Sequence, residues 1–152
     1  QKDGIGLMVY ASGTTYEGEW KDDYRNGIGT QDDMRGNVFY GNWVDDNKDG
    51  KGKLTYSNGD IYDGDWSKNN IQGTGIFIYT NGDKYDGEWI NSQRNGKGTF
   101  TSNAGEKYIG EWLESRKSRE KIILASKIAG PGDYTAHIRK TGFKGEESCS
   151  LY

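Results

Sequence analysis

Aromatic and glycine residues recur along this chain at a fixed interval of 23 residues. The stretch from Gly82 to Trp89 shows the unit, which contains an aromatic residue, a polar residue, glycine, a second polar residue and tryptophan. A Gly-x-Gly pair and then a turn glycine follow in the complete units. A period this strict predicts a repeat array in which each unit packs against its neighbours. The aromatic-x-Gly-x-Trp segments begin at Tyr16, Phe39, Tyr62, Tyr85 and Tyr108, after a truncated first copy.

The aromatic-x-Gly-x-Trp segment alternates apolar and polar positions. In one copy the polar residues Asp63 and Asp65 separate Tyr62, Gly64 and Trp66. Side chains of an extended chain alternate between faces, so one face would be apolar and the other solvated. A helix would carry a glycine at its centre, at a cost of about 1 kcal/mol relative to alanine. The segment therefore predicts a half-buried β-strand.

A polar bend follows each tryptophan. In most copies an Asn-Gly or Asp-Gly pair ends it, as at Asn26 and Gly27. Such pairs tolerate positive φ and are typical of hairpins, so we place the hairpin turn there. A second strand then runs through Gly52, Leu54 and Tyr56 and through the equivalent residues of the other copies.

Together these elements predict an all-β fold, an elongated single-layer antiparallel sheet of consecutive β-hairpins over residues 1–112. Each hairpin would lengthen the sheet by about 10 Å. The repeat pattern stops after Trp112, and no glycine follows until the Gly130-Pro131 pair. We expect residues 113–129 to form a cap, with a helix over 114–127, or alternatively an edge strand over 121–125. For residues 130–152 we predict an irregular tail, which is either loosely ordered or docked on a partner.

Composition and charge narrow the functional classes. The mean hydropathy of -0.99 is low, but aromatic residues make up 13% of the chain and can form its core. Residues 1–112 carry a net charge of -6, which disfavours nucleic acid as a partner. The lone Cys149 cannot form an internal disulfide and fits a reducing compartment. We therefore expect a soluble cytoplasmic protein.

The repeat resembles the MORN (membrane occupation and recognition nexus) family. The shared features are Tyr-x-Gly-x-Trp, the following Gly-x-Gly and the turn glycine at a spacing of 23 residues, and they cover residues 1–112. The family's glycine three residues after the Trp is absent from this chain. Polar residues that tolerate similar turn geometry replace it. They are Asp23, Asp46, Asn69, Ser92 and Ser115.

The resemblance implies a single-layer sheet of hairpins with an aromatic groove, often capped by a C-terminal helix. Members of the family are mostly scaffolds that bind partner peptides, sit in cilia and other cytoskeletal assemblies, or link membranes. Some are modules attached to lysine methyltransferases or phosphoinositide kinases. The resemblance thus favours a non-catalytic interaction module in a cytoskeletal setting such as a cilium or axoneme.

No residue pattern predicts catalysis, a cofactor or a metal. The run from Asp45 to Gly50 matches the first half of an EF-hand loop, but Lys53 and Tyr56 stand where its later ligands would be. His137 and Cys149 have no partner at a ligand spacing. The Gly-x-Gly pairs lack the lysine and the following helix of a phosphate-binding loop.

The aromatic stripe is the main candidate site for binding a protein partner. The rings could simply form the core, or they could leave a groove for a helix or an extended peptide, because a single-layer sheet has no second layer to cover them. The predicted partner-binding residues are Trp43, Tyr56, Trp66, Phe77, Tyr79 and Trp89.

Two further stretches are weaker candidates. The basic patch Arg116, Lys117, Arg119 and Lys121 is either a solvated face or a site for anionic lipid or an acidic protein. In the tail, the stretch from Gly130 to Tyr134 resembles the Pro-Gly-Pro-Gly-x-Tyr motif of ciliary microtubule-associated proteins. It occurs once here, and Ala129 replaces the first proline. The predicted docking residues are Pro131, Tyr134 and Phe143.

Overall fold

The fold is a long antiparallel sheet that follows the repeat. The computed structural model describes residues 1–117, 123–125, 138–143 and 146–151. The first ten strands lie side by side in chain order, which confirms the all-β fold of consecutive hairpins. They are β1 Gly4–Val9, β2 Thr15–Lys21, β3 Tyr24–Asp32, β4 Val38–Val44, β5 Asn47–Thr55, β6 Ile61–Ser67, β7 Asn70–Ile78, β8 Lys84–Ile90, β9 Gln93–Thr101 and β10 Lys107–Leu113.

The hairpin turns lie closer to the tryptophans than predicted. Only Asp22 and Asp23 separate β2 from β3, and both have positive φ, 51° and 68°. Two successive residues of this kind form the tight turn that matches the twist of paired strands. The prediction that the turn lies at the Asn-Gly pair was therefore wrong. Asp and Asn adopt this conformation more readily than most residues, which is why the turn can form without glycine.

The Asn-Gly pair instead belongs to a bulge inside the second strand. Gly18 pairs with Gly29 and Trp20 with Arg25, so β3 has two more residues than β2 between these pairs. Gly27, with φ of 84°, lies in this bulge. The equivalent bulges recur in the later hairpins.

Carboxylate side chains on the face of the sheet opposite the tryptophans accept hydrogen bonds from backbone N–H groups of the bulges. Asp65 accepts a hydrogen bond from the backbone N–H of Thr74 at 2.9 Å, and Glu88 accepts one from Lys97 at 2.6 Å. The alternating pattern predicts only a solvated face at these acidic positions. Their side chains in fact stabilise backbone groups that the strand ladder leaves unpaired.

Residues that replace the family's glycine connect neighbouring hairpins. The backbone N–H of Arg25 donates to Asp46 Oδ1 at 2.8 Å, and that of Lys48 donates to Asn69 Oδ1 at 2.9 Å. Ser92 Oγ accepts in the same way from Ile71 at 3.1 Å. A glycine has no side chain to make this bond, so the substitution adds a contact between units.

The predicted capping helix is wrong for the described part of residues 114–127. Two short strands, β11 Arg116–Lys117 and β12 Ile123–Ala125, both pair with β10. The alternative, an edge strand, therefore holds for residues 123–125. Pairing satisfies the backbone groups along the edge of β10, which a helix would leave open. Tyr108 of β10 pairs with Leu124 of β12. In an earlier unit the equivalent Tyr62 pairs with Phe77, so the chain between the paired residues is one residue longer at β10 and β12.

The C-terminal residues were expected to be irregular, but their described part is regular. Strands β13 Ile138–Phe143 and β14 Glu146–Leu151 form an antiparallel hairpin. This corrects the prediction for residues 138–143 and 146–151. The rest of the predicted tail lies outside the described residues.

Candidate interaction surface

The core of the sheet is a continuous ladder of rings on one face, here called the aromatic face. Each tryptophan from Trp43 onward packs edge-to-face against the aromatic residue of its own unit and that of the preceding unit. Ring centroids lie 5.1–5.4 Å apart with interplanar angles of 83–89°. Edge-to-face pairs of this kind contribute about 0.5–1.5 kcal/mol beyond the area they bury. The deep row consists of Tyr16, Trp20, Phe39, Trp43, Tyr62, Trp66, Tyr85, Trp89, Tyr108 and Trp112, all buried.

Hydrogen bonds fix the polar atoms of the deep row. Trp66 Nε1 donates to the backbone oxygen of Gly52 at 3.0 Å, and the other tryptophans make equivalent bonds. The hydroxyl of Tyr62 donates to the backbone oxygen of Asp65 at 2.9 Å. Burial raises the pKa of the Tyr62 hydroxyl, and it raises the pKa of Tyr16 and Tyr85 to about 12. These side chains are therefore neutral structural elements at physiological pH.

Glycines provide the space for the deep row. A Cβ on Gly75 would overlap the Tyr62 ring, and one on Gly52 would overlap Phe39. The glycines that face these rings are consequently required by close packing, since any side chain would displace the aromatic residue.

A second set of side chains lies beside the ladder and is half-buried. Phe77 packs on Tyr79 with centroids 4.6 Å apart, and Tyr56 lies 5.6 Å from Phe77. Phe100 continues this set 6.4 Å from Tyr79. No second layer covers these rings within residues 1–117. The shallow row consists of Met8, Tyr10, Leu54, Tyr56, Phe77, Tyr79 and Phe100.

Cationic side chains lie over the deep row along the aromatic face. The Arg25 guanidinium is 4.5 Å from the Trp43 centroid, and that of Arg94 is 4.5 Å from Trp112. Lys48 Nζ lies 5.2 Å from the Phe39 ring. Contacts of this geometry are cation–π interactions, worth about 0.5–2 kcal/mol. In the fourth unit Ile71 takes the corresponding place and is buried.

Lys48 is a cation of this face whose pKa is lowered. Burial lowers its pKa, and the nearby Arg25 guanidinium lowers it further. Arg25 forms a salt bridge with Asp46 at 3.1 Å. Within residues 1–117, neither Lys48 nor Arg94 has a carboxylate at salt-bridge distance. An acidic group brought to this face would therefore find two cations to pair with.

The repeat family is established by direct comparison. The MORN repeat profile matches residues 1–15, 16–38, 39–61, 62–84 and 85–107. The chain belongs to the MORN repeat family. A search of curated proteins finds no match to this MORN chain. MORN repeats are generally protein- or lipid-interaction modules and are not themselves enzymes, which agrees with a scaffold role.

The six predicted partner-binding residues of the MORN array separate into two groups. Trp43, Trp66 and Trp89 belong to the deep row and are at most 6% exposed. Tyr56, Phe77 and Tyr79 belong to the shallow row and retain accessible surface. The available contact surface is therefore formed by the shallow row. Sequence periodicity did not separate the two groups because both alternate correctly along their strands.

The second unit of the array interrupts the shallow row. Gln31 and Asp33 stand where the other units place residues such as Phe77 and Tyr79. A hollow of about 290 Å³ lies here, lined in part by Tyr10, Arg25 and Gln31. The aromatic face consequently has a polar segment near β3 and an apolar segment from β5 to β9.

The face opposite the ladder, here called the outer face, is more apolar than predicted. Ile5, Leu7 and Val9 of β1 are 84%, 64% and 63% exposed, and Ile109 and Leu113 are exposed at β10. In the middle of this face, Tyr40 is 57% and Ile28 45% exposed, together with the expected charges such as the Lys51–Asp65 salt bridge.

The other predicted sites fall at the limits of the described residues. Arg116 and Lys117 form β11 beside β10, whereas Arg119 and Lys121 lie outside the described residues. Pro131 and Tyr134 also lie outside them, and Phe143 ends β13, paired with Glu146. The lipid-binding and tail-docking hypotheses remain predictions.

The part of the chain that the structure describes contains neither a metal-binding cluster nor a helix that could span a membrane. It holds no cluster of His, Cys, Asp or Glu residues arranged to bind a metal ion. It also contains no helix of the length and apolarity that would cross a bilayer.

Proposed function

We propose that this MORN array is a non-catalytic scaffold that binds a segment of a partner protein on its aromatic face. The observation that carries the proposal is the shallow row, in which Tyr56, Phe77 and Tyr79 are only half-buried on a sheet with no covering layer within residues 1–117. Aromatic side chains held rigidly at a surface are the usual energetic centres of protein interfaces. A helix or an extended peptide lying across β5, β7 and β9 would bury these rings.

The charges of the aromatic face suggest the chemistry of the partner. Lys48 and Arg94 stand next to the rings with no carboxylate at salt-bridge distance among residues 1–117, and the more distant Asp33 carboxylate acts on Lys48 electrostatically. A segment with apolar anchors and neighbouring acidic side chains would complete both the apolar and the charged part of the surface. We further propose that this partner belongs to a cytoplasmic cytoskeletal assembly such as a cilium or axoneme, a setting that rests on the family resemblance.

The test removes the shallow rings without touching the ladder. The Tyr56→Ser/Tyr79→Ser variant and the wild-type chain would be used in affinity capture, with the retained partner identified by mass spectrometry and its binding segment titrated by calorimetry. We expect at least a tenfold loss of affinity, on the order of what interface aromatics contribute. Tyr40→Ser is the matched control, because Tyr40 is 57% exposed on the outer face. Equal affinity for all three proteins would refute the proposal.

A second variant tests the charged part of the surface. Lys48→Met keeps the apolar stem over Phe39 and removes the ammonium group. We expect weaker binding of the partner segment and a smaller dependence of affinity on salt concentration. An unchanged salt dependence would exclude an acidic partner at this position.

The membrane alternative has its own test. Sedimentation with anionic vesicles would show salt-sensitive binding if residues 116–121 contact lipid headgroups. Charge-reversing changes at Arg116, Lys117, Arg119 and Lys121 should then abolish it. Vesicle binding that survives these changes would exclude the basic patch as the lipid contact. The family resemblance leaves one more alternative, that this chain is a regulatory repeat module of a larger enzyme. Sequencing the full-length transcript for an adjoining catalytic domain tests it.

A further inference from the structure

One repeat position on the aromatic face carries a cation in most units. Lys48 Nζ lies 5.5 Å from the Trp66 ring centroid, and the Arg94 guanidinium lies 4.5 Å from that of Trp112. Ile71 takes this position in the unit between them and is 4% exposed. We call this position the cation column, and its members at intervals of 23 residues are Arg25, Lys48, Ile71 and Arg94.

The members of the cation column differ in how far their charge is compensated. Arg25 is held by the salt bridge to Asp46 at 3.1 Å. Lys48 has no carboxylate at salt-bridge distance among residues 1–117, and Asp33 acts on it only from further away. Arg94 donates a hydrogen bond to the backbone oxygen of Ser115 at 2.8 Å but likewise has no carboxylate at that distance. Lys48 and Arg94 are therefore the members that an acidic group can pair with.

The same strands that carry the cation column carry the shallow row. Burial raises the pKa of the Tyr79 hydroxyl, and the Arg94 guanidinium acts against this, so the two groups lie near each other. Each unit from β5 to β9 thus presents two contact points on the aromatic face, one from the column and one from the shallow row. These pairs are Lys48 and Leu54 on β5, Ile71 and Phe77 on β7, and Arg94 and Phe100 on β9.

The pitch of the array matches the pitch of an α-helix. Two strands about 4.8 Å apart give a repeat of about 9.6 Å. The Tyr62 ring centroid lies 5.4 Å from that of Trp66 and 5.4 Å from that of Trp89, so the ladder has a similar pitch. A helix advances about 10.5 Å in seven residues and returns to nearly the same face. A helix laid across the strands would therefore drift by only about 2 Å between Lys48 and Arg94.

Other peptide conformations fit these contact points less well. An extended peptide directs every second side chain to the same side, about 6.6 Å apart, and falls out of step with the units within one repeat. A polyproline II segment repeats every 9.3 Å or so, but it directs one side chain per turn towards the sheet. A helix directs two neighbouring side chains per heptad, three or four residues apart, to one face. This number equals the two contact points of each unit.

We infer that the segment bound on the aromatic face is an amphipathic α-helix that lies across the strands, with acidic, apolar and acidic side chains seven residues apart opposite Lys48, Ile71 and Arg94. Apolar side chains three or four residues from these anchors would contact the shallow row. The inference rests on the proposed function and adds to it the conformation, charge pattern and register of the bound segment. Complementary charges at Lys48 and Arg94 and an apolar contact at Ile71 fix that register.

The probe is a synthetic labelled peptide of three heptads. It is rich in alanine, carries leucine at the heptad position that faces the shallow row, and has Glu, Leu and Glu as its three successive anchors. A second peptide has Glu at all three anchors. Fluorescence anisotropy with the whole chain should show saturable binding of the first peptide. The second should bind at least about tenfold more weakly, because a carboxylate against Ile71 loses water without gaining a partner. No saturable binding of the first peptide, or equal binding of both, would overturn the inference.

Two variants exchange residue types that the cation column already contains. Ile71→Lys introduces the residue found one unit earlier and should reverse the preference in favour of the peptide with the central Glu. Arg94→Ile is the reciprocal change and should favour a peptide with Leu as its third anchor. Lys97→Ile is the matched control, because Lys97 is exposed on the outer face of β9 and loses the same charge. Circular dichroism identifies the folded variants, and wild-type preferences in either folded column variant would overturn the inference.

The conformation of the bound peptide is tested separately. Proline at a solvent-facing position of the central heptad breaks a helix, so it should abolish binding of the first peptide. Binding that proline leaves undiminished would overturn the inference in favour of an extended or polyproline II segment.

Failure of the inference and failure of the proposed function give different results. Partner capture that Tyr56→Ser/Tyr79→Ser weakens, together with peptides that show no anchor preference, overturns the helical register and leaves the proposed function intact. Partner capture that this variant leaves unchanged refutes the proposed function instead.

Discussion

The deep and shallow rows lie side by side on one face, yet they differ in how much the units vary. After the truncated first unit, every unit places Tyr or Phe and then Trp in the deep row. In the shallow row, Phe77 and Tyr79 correspond to Gln31 and Asp33 in the second unit. The deep row is buried, and each tryptophan from Trp43 onward is fixed by a hydrogen bond and by a ring on either side. Variation is tolerated where side chains contact solvent, and that is where the array can be adapted to a partner.

The largest expected difference between the rows is in stability. Trp66→Ala removes a ring that is 6% exposed, packed between Phe39 and Tyr62, and hydrogen-bonded to Gly52. We expect a loss of about 3–5 kcal/mol in the free energy of unfolding, typical of a buried tryptophan replaced by alanine. Urea denaturation followed by circular dichroism measures it. Phe77→Ala in the shallow row is the comparison, and an equal loss for both would remove the distinction between the rows.

Substitutions of two glycines are expected to differ in their effect on stability, by a smaller amount. Gly75→Ala places a Cβ into the Tyr62 ring, whereas Gly6→Ala meets Trp20 at ordinary contact distance. We expect Gly75→Ala to cost about 1–3 kcal/mol, as overpacking of a tight core does. Gly6→Ala should leave the unfolding midpoint almost unchanged. Comparable destabilisation by the two substitutions would contradict the assignment of the Gly75→Ala cost to overlap with the Tyr62 ring.

Much of the fold could be predicted because one 23-residue pattern recurs in the chain. In one strand, polar residues alternate with Tyr62, Gly64 and Trp66. Because the same alternation recurs in the other units, it indicated a sheet with aromatic rings along one face. The turn was misplaced because Asn26-Gly27 is a hairpin signal in isolation, while the positive φ of Asp22 and Asp23 has a weaker signature in sequence. Neither the alternation nor composition could show that Trp66 is buried and Tyr56 half-buried, since this depends on contacts between units.

The end of the array was predicted less well for a related reason. Loss of glycine after Trp112 suggested a helix, but β12 pairs with β10 in a register one residue longer than in the other hairpins. Strand pairing is non-local, so the free edge of β10 favours a strand over the local helix signal. The β-branched Ile122 and Ile123 were the residues that could have indicated this.

Alkaline pH should destabilise the deep row through its tyrosines. Burial raises the pKa of Tyr16 and Tyr85 to about 12, against 10.0 in the unfolded chain, and raises that of Tyr62 as well. The folded state therefore binds these protons more tightly, so stability is intact below pH 10 and is lost as pH rises toward 12. Lys48, whose pKa burial lowers, acts in the opposite sense and offsets part of the loss.

Urea midpoints at about pH 9 and about pH 11.5 would measure this loss. The Tyr16→Phe/Tyr62→Phe/Tyr85→Phe variant is the control and should show a much weaker pH dependence. A residual slope is expected from Tyr56 and Tyr79, whose pKa burial also raises. If the triple variant and the wild type lost stability in parallel, the deep tyrosines would not be the responsible groups.

The smallest expected effect on stability concerns one position of the deep row, where one unit carries phenylalanine and the other units carry tyrosine. Phe39 occupies the position of Tyr62 one unit earlier and packs on Trp43 and Trp66 at centroid distances of 5.3 and 5.2 Å. Tyr62→Phe should therefore keep the ring contacts and lose the hydrogen bond to the Asp65 backbone oxygen. We expect a cost of about 0.5–1.5 kcal/mol at neutral pH, measured by urea denaturation. The reciprocal Phe39→Tyr should stabilise the chain if its hydroxyl reaches the Asn42 backbone oxygen. A loss for Tyr62→Phe as large as that for Trp66→Ala would mean that the hydroxyl, rather than the ring ladder, holds neighbouring units together.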